Sequence, residues 1–447
     1  MLQNFIEQIL NKHSFEHEFY NQFDYTNKER LLAAIAYLMY ENNKNNPNYA
    51  IKYSDLISFT TEYLTNRQFN FNAKEIIDLF ISSGLLISID DNTTTWIRFR
   101  FNCFFTFFLM RNMEKTEFYD FVLKEENYLS FCDEINLYTG LKRDCINILD
   151  TIMSRMDSMF EKLNTVISQQ DLLYDSFFET SISLPDQINS KDIKKLKEPN
   201  SENRIKFEKM QDSLLQSSEI NSNIERKDFN ISPFDKMFLS INLGLNVLRN
   251  TEEVDIKNYK QDIFARIMKN VLAFACLNKV LFIHAIREEY KDMDETKKKE
   301  IENFISFLPL IISELLENSL ATNKLTGVFE NHLEEILYDK DISQMEKFLI
   351  VFVNLDSKGK NSKKFLSNFI KQIQFAYIKN CSFFKLLIYH IKAKGEKERN
   401  EYIDSLVTLW EKKSIVPKGH RFNKSEAKRQ LKNEAFLREL AEEMKNV

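Results

Sequence analysis

Three places in this 447-residue sequence carry residue types that could do chemistry, and each lacks part of the set its chemistry needs. A phosphate-cradling loop reads GxxxxGK[ST], because glycine amides must close around the phosphate while the lysine reaches it. The nearest stretch is Asp356-Ser357-Lys358-Gly359-Lys360, which lacks the first glycine and follows no strand. A solvated turn between two helices is expected there. His13 and His17 stand four apart beside Glu16 and Glu18, so two imidazoles could share a helical face. Zinc needs a third and usually a fourth ligand, and HSFEH puts its glutamate where a general base would not sit. The reading is a polar helix end. His284 has Glu288 four residues on, which fits a core or interface histidine satisfied by a carboxylate. There is no GxSxG elbow. The cysteines, Cys103, Cys132, Cys145, Cys276 and Cys381, are scattered without a CxxC pair and read as reduced thiols. No catalytic, metal or cofactor site is expected, and so no enzyme in this chain.

The elements around these residues are helical almost throughout. Only 7 Gly and 6 Pro are present, fewer than the tight turns and phosphate loops of an α/β nucleotide-binding enzyme would use. Apolar periodicity predicts a short helix over Leu2–His13, then Glu29–Glu41 behind an Asp24–Asn27 cap, Ser54–Leu64, and Ala73–Ser83 capped near Asn72. Past Gly84, Leu85–Asp90 and Trp96–Phe101 are β-prone runs separated by the polar turn Asp91–Thr95. An aromatic helix follows to Met110, with Phe101, Phe104, Phe105 and Phe108 at helical spacing. Three helices and a two-stranded wing outline a winged-helix domain over 1–115. A helical extension occupies 116–182, with Phe118–Lys124, Tyr128–Tyr138 and Leu141–Leu163 punctuated by Gly140.

Residues 183–233 are polar, with few large apolar groups to offset ordering entropy, and are expected to be a linker or mobile segment in which Phe207–Leu215 could form a short helix. Apolar periodicity resumes for a C-terminal helical domain, 234–447. Its predicted helices are Met237–Leu248, Tyr259–Leu277, Lys279–Tyr290, Lys297–Leu320, Gly327–Leu337, Gln344–Asn354, Lys363–Ile378, Phe383–Ala393 and Lys397–Trp410, with a last one over Asn433–Met444. Short connections suggest a bundle or a HEAT-like array, although no fixed repeat is visible. The fold class is therefore mainly α, with one small β-hairpin in an N-terminal winged-helix domain. The first residues lack a signal peptide's cationic start, and the apolar run Val271–Ile286 is interrupted by Asn278, Lys279 and His284. A cytoplasmic protein without a membrane span is expected.

Winged helices often read DNA with the third helix and a basic wing. Here the third helix carries Glu75 and Asp78 against Lys74, and the wing tip carries Asp90 and Asp91 near Arg98 and Arg100. With a net charge of -5 the chain does not attract phosphate as a whole. The better electrostatic candidate for nucleic acid is the tail with Lys412, Lys413, Lys418, Arg421, Lys424, Lys428, Arg429 and Lys432. A nucleic-acid-binding regulator using the wing or this tail is the alternative reading.

The wing strand ending IRFRF and the run FFTFFLMRNM behind it resemble the segment after the ATPase core of bacterial STAND NTPases of the NACHT type. That family has a phrase similar to FRF-x-C/S-F-x-E-Y-F-x-A, matched by Phe99, Arg100, Phe101, Cys103, Phe104, Phe107 and Phe108. Thr106 stands where an acidic residue is usual, Phe107 where Tyr is common, and Leu109-Met110 where a small residue often falls. Phe118–Leu149 is similar to the helical continuation, most specifically at Tyr138–Asp144, which includes Gly140, Arg143 and Asp144. The resemblance spans roughly 25–165. It implies a C-terminal portion whose ATPase, with ATP and magnesium, lies upstream or on another polypeptide. It also implies a sensor that recognises a protein ligand, such as a viral protein in antiphage defence, with oligomerisation on activation. An exposed aromatic seam on the winged helix would pack against the resting ATPase and be released on ligand binding. Calorimetry of this chain with ATP and magnesium is expected to show no binding; a micromolar dissociation constant would overturn that expectation.

Overall fold

The computed structural model describes residues 2–12, 23–43, 49–91, 93–169, 174–179, 231–392, 402–409 and 425. The chain divides into two compact units, Met1–Arg143 with Glu198–Ser232 and Asp144–Lys197 with Pro233–Val447. The extension expected over 116–182 is thus shared between them. His13, His17, the Phe207–Leu215 helix, nearly all of the 183–233 segment, the basic residues from Lys412 to Lys432 and the helix over 433–444 lie outside the described residues.

Unit 1 opens with α1 (Leu2–Lys12) and α2 (Tyr25–Asn43). Asp24 accepts the Asn27 amide at 2.8 Å, which starts α2 where the sequence predicted a cap. The two-residue strand β1 (Ile51–Lys52) leads into α3 (Tyr53–Asn66), and α4 (Ala73–Ser82) is capped by the Asn72 side chain. Gly84, at φ 78°, turns the chain into β2 (Leu86–Asp91), and β3 (Thr94–Phe99) returns antiparallel. Both strands reach further into the turn than their β-prone runs did, because Asp90↔Thr95 and Asp91↔Thr94 still pair.

The sheet also has a third strand that the sequence reading missed. β1 pairs with β3 through Ile51↔Ile97 and Lys52↔Trp96, so β3 is central. Two residues are too few to show alternation. Ile97 and Phe99 face inward from β3 and meet α5 (Asn102–Met110), whose Phe104, Phe105, Phe107, Phe108, Leu109 and Met110 are all buried. Phe99 stacks on Phe108 at 5.6 Å and meets Phe105 at 5.9 Å, while Tyr49 lies 4.5 Å from Phe105. A 3-10 turn (Arg111–Glu114), α6 (Thr116–Val122), a second 3-10 turn (Tyr128–Phe131) and α7 (Cys132–Lys142) complete the unit.

Gly140 does not separate two helices as expected; it lies inside α7. The penalty of about 1 kcal/mol for a helical glycine is small beside the packing of α7 against α5. The helix ends at Arg143, which is left-handed at φ 64°.

Unit 2 contains α8 (Ile146–Gln169), α9 (Tyr174–Glu179), α10 (Pro233–Asn250), α11 (Tyr259–Asp292), α12 (Glu295–Ser306), α13 (Leu308–Leu320), α14 (Thr326–Ile336), α15 (Gln344–Asp356), α16 (Ser362–Gln372) and α17 (Ala376–Lys392). Residues 402–409 are also helical. α8, α10 and α11 pack on one another, while α15 touches its chain neighbours α14 and α16 and the more distant α13 and α17. Nearly every side chain of α15 is buried, as its all-round apolar sequence requires.

Three boundaries differ from the periodicity. α11 runs unbroken through Asn278 and Lys279, whose side chains donate to the Phe274 and Phe177 carbonyls. It is long and apolar enough to cross a membrane, yet 78% of its apolar window is buried inside the protein. The helix expected over Lys297–Leu320 breaks at Phe307, because Pro309 belongs in a first turn. That over Lys363–Ile378 breaks at Ile373–Phe375, where the Gln344 side chain accepts the Gln374 and Phe375 amides.

Phe104→Ala or Phe108→Ala is expected to cost about 3–5 kcal/mol, read by thermal or denaturant unfolding. Phe101→Ala, at a ring 47% exposed, should cost less than about 1 kcal/mol.

Candidate functional site

The residues of the IRFRFNCFFTFFLMRNM phrase lie together, and most of them serve the interior. Phe99, Phe104, Phe107 and Phe108 are buried, while Arg100 and Phe101 are exposed. The exposed aromatic seam expected on this element is therefore corrected. α5 is apolar on nearly every face, so the sheet, α2 and α7 cover it and only Asn102, Cys103 and Thr106 escape full burial. What reaches solvent is a small patch at its start. Phe101, with the Arg100 guanidinium 5.7 Å from its ring, meets Phe104 edge-on at 5.2 Å, and Phe5, 51% exposed, stacks on Phe104 at 6.2 Å.

The far end of α5 is clasped to α2. Arg111 donates to Glu29 Oε1 through Nε at 2.7 Å and Nη2 at 2.6 Å, with Glu114 3.2 Å from Nη1. The Tyr25 hydroxyl donates to the same Glu29 oxygen at 3.2 Å. Burial, and then the Glu29 charge, pushes the Tyr25 hydroxyl well above its ordinary range. Buried Asn112 donates to the Ala33 carbonyl at 2.8 Å, across 79 residues of sequence. Charge-assisted bonds this short, with Glu29 nearly enclosed, hold α5 and α2 as one piece. None of these polar partners was singled out from the sequence. Arg111 and Asn112 directly follow the aromatic run, but their partners stand about eighty positions upstream.

Gly140 is half-buried in α7, and exposed Arg143 and Asp144 form the turn that ends it, with the Arg143 amide donating to the Thr139 carbonyl at 2.8 Å. On α4 the exposed charges are Lys74, Glu75 and Asp78, the last held by the Tyr53 hydroxyl at 2.8 Å. This face carries the wrong sign for a phosphate backbone.

In unit 2 the Asp356–Lys360 stretch is a turn between α15 and α16. The Gly359 amide is spent on the Asn354 carbonyl, and Glu330 accepts both the Asn361 amide and its side chain, at 2.8 and 3.1 Å. A Cβ on Gly359 would collide with Asn354 Oδ1 and Glu330 Oε1. A phosphate placed there would meet a carboxylate in place of free amides. Asp356 itself closes a buried charged cluster. Tyr389 donates to its Oδ1, and Lys385 Nζ stands 3.5 Å from its Oδ2 and 2.5 Å from Glu317. Burial lifts the Asp356 carboxyl to about 6 in spite of Lys385. His284 is half-buried on α11, and the Glu288 side chain lies outside the described residues. Among the described residues no group of three or more His, Cys, Asp or Glu is placed to hold a metal ion.

Residues 49–109 match the sequence profile of the family described as Novel STAND NTPase 4. The match runs from Tyr49 through the sheet, α3, α4 and most of α5, about one-seventh of the chain. Over this stretch the chain is similar to a STAND NTPase-related family. No curated protein and no solved structure matches it.

The Asp356 carboxyl gives a pH test. Between pH 3.8 and about 6 the folded state keeps a proton that the unfolded state has released, so this group's contribution to stability is present below that window and lost as pH rises through it. The loss amounts to roughly 3 kcal/mol. Asp356→Asn should remove this contribution, read as the difference between the urea-unfolding free energies of variant and parent from pH 4 to pH 7. A difference that does not change with pH would contradict it.

Proposed function

We propose that this chain is the non-catalytic regulatory portion of a STAND NTPase-like protein. In this reading unit 1 is a winged-helix joint to an ATPase domain outside these residues. Unit 2 recognises a protein ligand, in the manner of an antiphage sensor, and the joint passes that event to the ATPase. ATP and magnesium would be held by that ATPase, and activation would proceed by oligomerisation.

The observation that carries the reading is where the family match falls. Residues 49–109 cover the sheet, two helices of the joint and most of the aromatic helix, including Phe99–Phe108 of the resembling phrase, while Phe118–Leu149 lies outside the match. The physical arrangement supports a mechanical role. Because α5 is buried against the sheet and clasped to α2 by Arg111 and Asn112, a force applied at one end of unit 1 is carried by a packed body. The Phe5–Phe101 patch and the hairpin tip with Ile89 offer apolar surface for an ATPase contact.

Two measurements test this. The coding sequence upstream, or a neighbouring gene, should carry a Walker A and Walker B pair; their absence from both would remove the ATPase link. In mobility shifts with duplex DNA and with RNA, the chain should give no salt-sensitive complex. A shift that weakens steeply between about 50 and 200 mM salt would favour the nucleic-acid reading.

A further inference from the structure

α9, Tyr174-Asp175-Ser176-Phe177-Phe178-Glu179, has six residues. A helix this short does not persist by its own hydrogen bonds. What holds it is unit 2. Asp175 Oδ2 accepts the Gln344 amide at 2.7 Å, and its Oδ1 accepts the Met345 amide at 3.1 Å and the Tyr377 hydroxyl at 2.6 Å. Glu179 accepts the Ala376 and Tyr377 amides at 3.0 and 3.3 Å. Each carboxylate thus satisfies the first amides of a different helix, α15 or α17, where the helix dipole adds to the bond. Between the carboxylates Phe177 and Phe178 are buried, with Phe178 stacked on Tyr377 at 5.9 Å. Lys279 of α11, 2% exposed, donates to the Phe177 carbonyl and lies 4.4 and 5.3 Å from the two rings. Burial draws its ammonium down to about 8.

The groove does not stop where α9 stops. A cleft of about 940 Å³ continues from Asp175 and Ser176 along Tyr338–Ser343 to the Phe369–Phe375 stretch, with Tyr338 66% exposed at its edge. In sequence, four residues join α9 to α8 and 53 join it to α10.

We propose that this groove is a docking site for an acidic-aromatic helix of a protein partner, and that α9 is its internal occupant. The partner segment presents two carboxylates about one helical turn apart on either side of paired aromatic side chains, the pattern that α9 supplies as Asp-x-Phe-Phe-Glu. A longer helix would also fill the open cleft. The inference rests on unit 2 as a receiver of protein ligands, and names the chemistry received. Tethering by a short connection gives α9 an effective concentration on the order of millimolar, so a partner must outcompete it and the resting protein is masked.

The test uses a fluorescein-labelled peptide of residues 172–181 and the full chain, read by anisotropy. Asp175→Ala/Glu179→Ala loosens the internal helix, and this variant should bind the peptide at least tenfold more tightly than the unaltered chain. A peptide with the same two acidic residues replaced by Ala should bind neither. A variant that melts as a folded protein and binds no peptide overturns the proposal. If the variant does not fold, amide exchange of the unaltered chain decides. Gln344, Met345, Ala376 and Tyr377 should exchange by local opening, at least tenfold faster than amides at the centre of α15, and exchange only with global unfolding overturns the proposal. Neither readout involves nucleotide, so a failed ATPase link leaves the groove standing, and absent peptide binding leaves that link untouched.

Discussion

Three short strands make a stable sheet only if they are covered, and in unit 1 α3, α4 and the nine-residue α5 all pack on them. The contact of Phe99 with Phe105 and Phe108 sets the rest of the unit. Because Ile97 and Phe99 point to one face of β3 and Trp96 and Arg98 to the other, a slip of one residue would turn Trp96 and the charged Arg98 inward, so the register is set by burial. α5, enclosed on almost every side, cannot also be a free docking surface. Among the described residues of unit 1, the large apolar side chains that reach solvent are Phe5, Tyr37, Ile89 and Phe101.

Unit 2 meets a different constraint. Helices packed this closely bring their own polar ends and several charged side chains inside, and each needs a partner. Ser343, Asp175 and Glu179 satisfy the starts of α15 and α17, the Gln344 side chain bridges the break before α17, and Glu330 closes the turn after α15. Lys385 sits among Glu317, Asp356 and Tyr389. These links are directional, and those to Asp175, Glu179 and Glu330 are charge-assisted, so they specify which helix end meets which.

The sequence by itself determined the mainly helical class, the hairpin and the order of elements around it. Each rests on a local signal: the alternation through Trp96–Phe99, the Asn72 cap, and the Gly84 turn. It also held the similarity at 49–109, because that resides in consecutive residues. It identified the Asp356–Lys360 stretch as a turn, since the missing glycine is a local fact. Tertiary structure alone decided the strand role of Ile51–Lys52, which two residues cannot announce, and the burial of the aromatic run, whose helical spacing is the same whether its faces are covered or free. It overrode Gly140 as a break, because packing outweighs a propensity of about 1 kcal/mol, and kept α11 continuous through Asn278 and Lys279, whose side chains find carbonyl acceptors. The Glu29–Arg111 clasp and the seats of Asp175 and Glu179 join residues 82, about 170 and about 200 positions apart. Nothing local marks such a pair, for a carboxylate and its distant partner become neighbours only when the chain between them has closed.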